Sequence, residues 1–493
     1  MSGNKLKFIG VGLFITMCMM NKSYANEYIL QQLQIAKDPL SVNDELGNIH
    51  TLYPNLNQSA GCFLNAGSAH SFVNMSRAEL AHITVCFRPD IQVVYHNYKA
   101  ALARLGQAKG SRLPEIDWTA NGNERRLDKF VIDPTRPELD VPSRNETTIR
   151  QGFNFIWKVT NFGATSALIK RTELQAKAVA YELVANTNNS ILEALLAQED
   201  LKGSIRVLQL YKEAKENAKN NFDIAMERQR LGVGSQSDVI TTQTLYNRAE
   251  IDILQTFNEI AQKYNGLLNS LGIGKRVNPD VDIDAFQPIS QSALKINSDV
   301  DKSMLFELAN SMPERLSAIY AYKASLKRVE EIEKENNPSI VLSMSNGVYQ
   351  NKIDSGTNFK TNESTVNLTL KVPLFSGFSN TYKVKESMQQ ASSQEMQINT
   401  VENKIQKEVI ANLKQLQSEL LVKSKLEEYI ELSELNLNAM KEKYFRGVAD
   451  ISYLLNANKE LITARVELAR GMARLVTCQI KHLYFQGKIN DAY

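Results

Sequence analysis

The sequence predicts an α+β membrane protein in which one plan, two strands followed by two very long helices, occurs twice. Three observations predict it. Long stretches lack proline and nearly all glycine, short segments alternating apolar and polar residues precede each of them, and two glycine turns recur 215 positions apart. Composition adds little, since 43% hydrophobic and 23% charged residues are ordinary for a folded chain of 493 residues.

The first element is an expected signal peptide over residues 1–25. Lys5 and Lys7 precede an apolar run over residues 8–20, and Ser23 and Ala25 place small residues at −3 and −1 of a cleavage site. The run is too short to cross about 30 Å of hydrocarbon as an anchor. Lipidation at Cys18 is disfavoured because the large Met17 precedes it. Cleavage after Ala25 removes Lys5, Lys7 and Lys22 and leaves 54 basic against 54 acidic residues, so no basic excess remains to suggest nucleic acid. Export also exposes cysteines to an oxidising compartment. A disulfide between Cys62 and Cys86 is the favoured reading and two buried thiols the alternative, with Cys478 left as a free thiol.

Residues 26–273 are expected to form an N-terminal segment and the first repeat. Its strands fall at about 114–123 and 149–162. Ile116, Trp118 and Ala120 alternate with polar neighbours, as do Phe153, Phe155, Trp157 and Val159 in the main. Helices are expected at about 164–230 and 237–271. No proline occurs between Pro142 and Pro279, and Gly203 is the only glycine from Ala164 to Arg230. At about 1.5 Å per residue the first of these helices would reach about 100 Å.

Residues 274–493 repeat the plan. Strands are expected at about 338–349, with Ile340, Leu342 and Met344 on one face, and at about 364–375, with Val366, Leu368, Leu370 and Val372. Helices follow at about 379–446 and 449–484. Gly232 and Gly447 mark the turns, preceded at equal spacing by Glu227-Arg228 and Glu442-Lys443, which points to an internal duplication. Strands of about ten residues with one oily face suit a tilted membrane-spanning barrel, and Trp118 and Trp157 suit its interfacial girdle. The competing reading is an edge hairpin on a soluble core. Four strands cannot close a barrel, because open edges in lipid leave backbone groups unsatisfied, so copies must pool their strands.

These residues resemble the TolC family of outer-membrane efflux and secretion channels. The resemblance rests on Val372-Pro373-Leu374-Phe375-Ser376-Gly377, on its counterpart Trp157-Lys158-Val159-Thr160-Asn161-Phe162-Gly163, on the turn glycines, and on Pro89-Asp90-Ile91 with the helix leading to Leu113-Pro114. It implies a homotrimer with a twelve-stranded β-barrel, four strands per protomer, in the outer membrane. A long α-helical barrel continues it through the periplasm, and a mixed belt involves residues 274–337 and the two chain ends. It further implies an exit duct served by a periplasmic adaptor and an inner-membrane transporter.

The resemblance also implies a periplasmic gate. Ser237 and Asp238 after the first glycine and Tyr444 before the second match the family's polar latch. Where the family has a latch arginine two residues after the second glycine, this chain has Ala449, and Arg446 is the candidate replacement. The two entrance aspartates correspond to Tyr453 and Asn456, which removes that carboxylate ring and its attraction for cations. Adaptor docking falls on Leu231, Gly232, Val233 and on Arg446, Gly447, Val448; the simpler readings are a helix N-cap for Asp238 and turn formation for the glycines.

No catalytic site or cofactor is expected. His50, His70, His82, His96 and His482 are scattered, no phosphate-loop or Gly-x-Ser-x-Gly pattern occurs, and Ser76-Arg77-Ala78-Glu79 reads as a capping box. A periplasmic coiled-coil adaptor is the main alternative to a duct, and an exported hydrolase a remote one.

Overall fold

A computed structural model describes residues 69–128, 135, 144–275, 310–353 and 358–487. The expected signal peptide, Cys62 and much of the expected belt, residues 276–309 and those near the two chain ends, lie outside them. The chain divides into two compact units. Among described residues the first comprises Leu102–Asn161 and Ser339–Lys371, and the second holds the long helices.

The first unit is an antiparallel sheet of β1 (Glu115–Leu127), β2 (Arg144–Thr160), β3 (Ser339–Ile353) and β4 (Phe359–Lys371), in that spatial order. Side chains directly opposite share a face, so the register shows how the alternation adds up. Ile116, Phe155, Met344 and Val366 form one row, and Trp157, Leu342 and Leu368 another. Asp117, Asn154, Ser345 and Thr365 make a row on the opposite face. One face is therefore mainly apolar across all four strands, the row of Trp118 and Phe153 ending in Asn346 and Ser364, and the other is mainly polar. The apolar face is exposed in the single chain, at Ile116, Trp118, Phe153, Val366, Leu368 and Leu370 among others.

The strands differ in extent from the expected ranges. β1 runs on to Leu127, β2 starts at Arg144, β3 ends at Ile353 and β4 starts at Phe359. These extensions are mainly polar, as in Glu124-Arg125-Arg126 and Asn145-Glu146-Thr147-Thr148, and are held by ladder hydrogen bonds and polar pairs such as the Asn351 amide donating to Glu146 at 2.7 Å, so no hydrophobic period marks them. β4 stops at Lys371 rather than near 375 because Pro373 has no N–H to donate.

In the second unit α1 (Ala69–Asn74), α2 (Arg77–Phe87) and α3 (Pro89–Gly110) come first, α3 crossing the division between units. The Ser76 capping box is present: Ser76 Oγ accepts from the Glu79 N–H, and Glu79 accepts from the Ser76 N–H. Four long helices follow, α4 (Ala164–Arg230), α5 (Gln236–Ser270), α7 (Ser379–Phe445) and α8 (Ile451–Phe485), with α6 (Pro313–Glu335) between α5 and β3. The duplication extends to length. α4 and α7 both have 67 residues, α5 and α8 both have 35, and each pair starts 215 positions apart.

The halves are packed differently. α4 is central, touching α5, α6 and α8, and buries an alanine- and leucine-rich face. Gly203 on α4 allows close approach to α8, since a Cβ there would lie 2.7 Å from the Ala473 Cβ. α7 buries far less, leaving Leu421, Leu432 and Leu435 exposed, and α5 leaves Ile240, Ile251 and Leu254 exposed. The described part of the expected belt is α6. It is tied to α4 by Arg171 Nε on Glu331 (2.5 Å), by the Ser317 hydroxyl donating to the Ala178 carbonyl (2.9 Å) and by stacked Tyr181 and Tyr320 rings, and to α7 by Arg315 on Glu402 (2.6 Å). Among described residues no helix is long and apolar enough to cross a membrane.

Candidate functional site

The candidate site is the pair of helix-turn-helix tips. Both are built from one hydrogen-bond pattern. At the first, the N–H groups of Leu231, Gly232 and Val233 donate to the carbonyls of Glu227, Gln229 and Arg228; at the second, those of Arg446, Gly447 and Val448 donate to Glu442, Tyr444 and Lys443. This closes off the last carbonyls of each helix and requires a left-handed residue, supplied by Gly232 (φ 76°) and Gly447 (φ 74°). The next helices are capped in matching places. Ser235 Oγ accepts from the Ser237 N–H at 3.0 Å, and Asp450 Oδ1 accepts from the Ser452 N–H at 2.8 Å and its hydroxyl at 2.7 Å. These bonds hold the Asp450 carboxyl below its ordinary pKa.

The apolar tip residues point outward: Leu231, Val233 and Val448 are 63%, 66% and 77% exposed. Arg230 and Arg446 reach back to glutamates of their own helices, Glu227 at 2.6 Å and Glu442 at 3.5 Å. Within the subunit the ion pair of Arg446, the candidate replacement for the latch arginine, is thus to its own helix.

Tyr444 is buried in a cluster with Ala225, Ile451, Leu454 and Leu455, against which Val239 and Leu245 pack, so the cluster draws on all four long helices. The Arg228 guanidinium lies over that ring, its central carbon 4.7 Å from the ring centre. Burial, and then the charges of Asp238 and Asp450, push the Tyr444 phenol above its ordinary pKa, while Arg228 opposes them. The structure thus brings Asp238 and Tyr444 into one electrostatic cluster. Ser237 is exposed and serves the cap through its N–H. Tyr453 and Asn456, three residues apart on α8, are exposed together, opposite the buried Leu454 and Leu455.

Sequence reasoning missed Arg228 and Asp450. The available signal was positional, because Arg228 and Lys443 each stand four residues before a turn glycine. Cys86 is disulfide-bonded and Cys478 is a buried free thiol; Cys62, the expected partner of Cys86, lies outside the described residues.

A family model described as outer membrane efflux protein matches residues 80–273 and 308–480. The chain belongs to that family. Protein CyaE of Bordetella pertussis is 22% identical over 325 residues, a match that spans 65% of this chain and 65% of that protein. A membrane protein from Pseudomonas aeruginosa superposes with a TM-score of 0.72 at 17% identity, covering 87% of this chain and 98% of its own. The outer-membrane channel OprN does so with a TM-score of 0.71 at 18% identity, covering 86% and 92%. Membership in the outer membrane efflux protein family agrees with the motifs at the strand-to-helix junctions and the turn glycines.

Proposed function

We propose that this chain is an outer-membrane exit duct of a tripartite efflux pump or a type I secretion system, passively conducting substrates delivered by a periplasmic adaptor and an inner-membrane transporter. The observation that carries it is the sheet, whose one face is mainly apolar across four strands while the other is mainly polar, with β1 and β4 at its open edges. Such a sheet suits lipid outside and water inside, but its edges cannot remain unpaired in hydrocarbon. Three copies would close twelve strands. The exposed leucines and isoleucines of α7 and α5 offer neighbouring copies the apolar contact that a helical wall needs. A soluble coiled-coil adaptor would leave the apolar sheet face uncovered.

In this reading the tips are the periplasmic end. Asp238 and Tyr444, with Ser237, belong to the latch, Tyr453 and Asn456 narrow the opening, and Leu231-Gly232-Val233 and Arg446-Gly447-Val448 meet the adaptor. Substrates pass unaltered, so no catalytic group or cofactor is required. The test is electrophoresis of a detergent extract with and without heating, followed by planar-bilayer recording. A heat-sensitive trimer that conducts is expected; a stable, water-soluble monomer would refute the duct.

A further inference from the structure

We propose that Arg228 is the basic side chain that clamps the tips shut, by capping the buried face of Tyr444 from the opposite repeat. The inference rests on reading the tips as a gate, and it assigns the closing contact to a ring face rather than to a hydroxyl.

Four observations lead to it. First, Ala225 shares a buried cluster with Tyr444, and Arg228 follows one helical turn later, so one face of α4 carries a methyl group into that cluster and then a guanidinium over its ring. Second, Arg230 and Arg446 are held by glutamates on their own helices, whereas among described residues no carboxylate lies within ion-pairing distance of Arg228. Third, Asp238 and Asp450 bring negative charge to the phenol's surroundings, which favours a cation beside it. Fourth, the contact joins α4 of the first repeat to α7 of the second. A salt bridge inside one helix cannot resist the separation of two helix pairs; a bridge between the pairs can. Planarity matters as well, because a guanidinium stacks flat on an aromatic ring and an ammonium does not.

The experiment uses the full-length purified protein and two measurements, hydrogen exchange over residues 225–240 and 440–455 and single-channel conductance in planar bilayers. Arg228→Ala and Tyr444→Leu, the second of which keeps apolar volume but removes the ring, should each speed exchange at both tips about two- to thirtyfold, the range set by losing one cation–π contact. Both should raise conductance. The double variant should go little beyond either single one, because both remove the same contact. Tyr444→Phe, which keeps the ring, should fall well short of Tyr444→Leu, and Arg228→Lys should lie between wild type and Arg228→Ala. Arg230→Ala, which breaks only a pair within one helix, controls for loss of charge. Unchanged exchange in Arg228→Ala would overturn the clamp, as would a Tyr444→Phe as disruptive as Tyr444→Leu, which places the closing contact on the hydroxyl. Exchange that responds as stated in a protein that never conducts would leave the clamp standing and remove the duct.

Discussion

His482 on α8 is buried, and the Gln486 Nε2 amide donates to its Nε2 at 3.0 Å, so that nitrogen must stay unprotonated for the bond to persist. Burial lowers its pKa from 6.5. Below pH 6.5 the unfolded chain takes up a proton that the folded one resists, so stability is full above 6.5 and is lost as pH falls toward the folded value. Denaturation midpoints at pH 7.5 and 5 should show wild type losing at most about 1.4 kcal/mol per pH unit from this group, and His482→Leu should lose less. Cys86 has a partner that is not Cys478, since Cys478 is free. If residues 1–25 are removed, Cys62 alone remains, and mapping alkylation before and after reduction should find Cys62 and Cys86 protected together; full alkylation without reductant would exclude the pair. At this scale the sequence was readable where the backbone makes the demand. Gly232 and Gly447 announce themselves because a tight helix-ending turn needs positive φ. Arg228 does not, since Glu227-Arg228 reads as a solvated helix end until a ring 216 positions away is brought over it.

Among elements, α6 depends on a few polar anchors. Glu331 accepts from Arg171 on α4 at 2.5 Å and from Arg328 at 2.6 Å, and both Arg171 and Glu331 are largely shielded from water. Glu331→Ala should cost about 2 kcal/mol, the value of a charged hydrogen bond together with the cost of leaving its partner unpaired. The Arg171→Ala/Glu331→Ala double variant should cost less than the two singles combined, and equal additivity in denaturant titrations would show that the pair is idle. The long helices and the cores of the strands were legible because each imposes a period, 3.6 or 2, over many residues. Helix α6 was not, since its short amphipathic pattern lay inside a segment expected to be a mixed belt. The outer strand ends were missed because mainly polar residues carry no period.

For the whole molecule, the two sheet faces make unequal predictions. Leu368→Arg, on the apolar face, should sharply reduce the trimer recovered from outer membranes, by the about 2–4 kcal/mol that a basic residue costs near the bilayer centre. Thr365→Arg, on the polar face of the same strand, should assemble nearly as well as wild type. Equal loss in both, measured by unheated gel electrophoresis, would mean that neither face meets lipid. The matched halves carry a last consequence. In the trimer we propose, three subunits, each with two tips of one backbone shape, would offer a docking protein six near-equivalent footholds in two alternating liveries, Leu231-Gly232-Val233 and Arg446-Gly447-Val448. A homomeric partner using a single contact mode on all six must grip what they share, the glycine bend and the protruding Val233 or Val448. Discrimination between odd and even positions would fall to the leucine and the arginine.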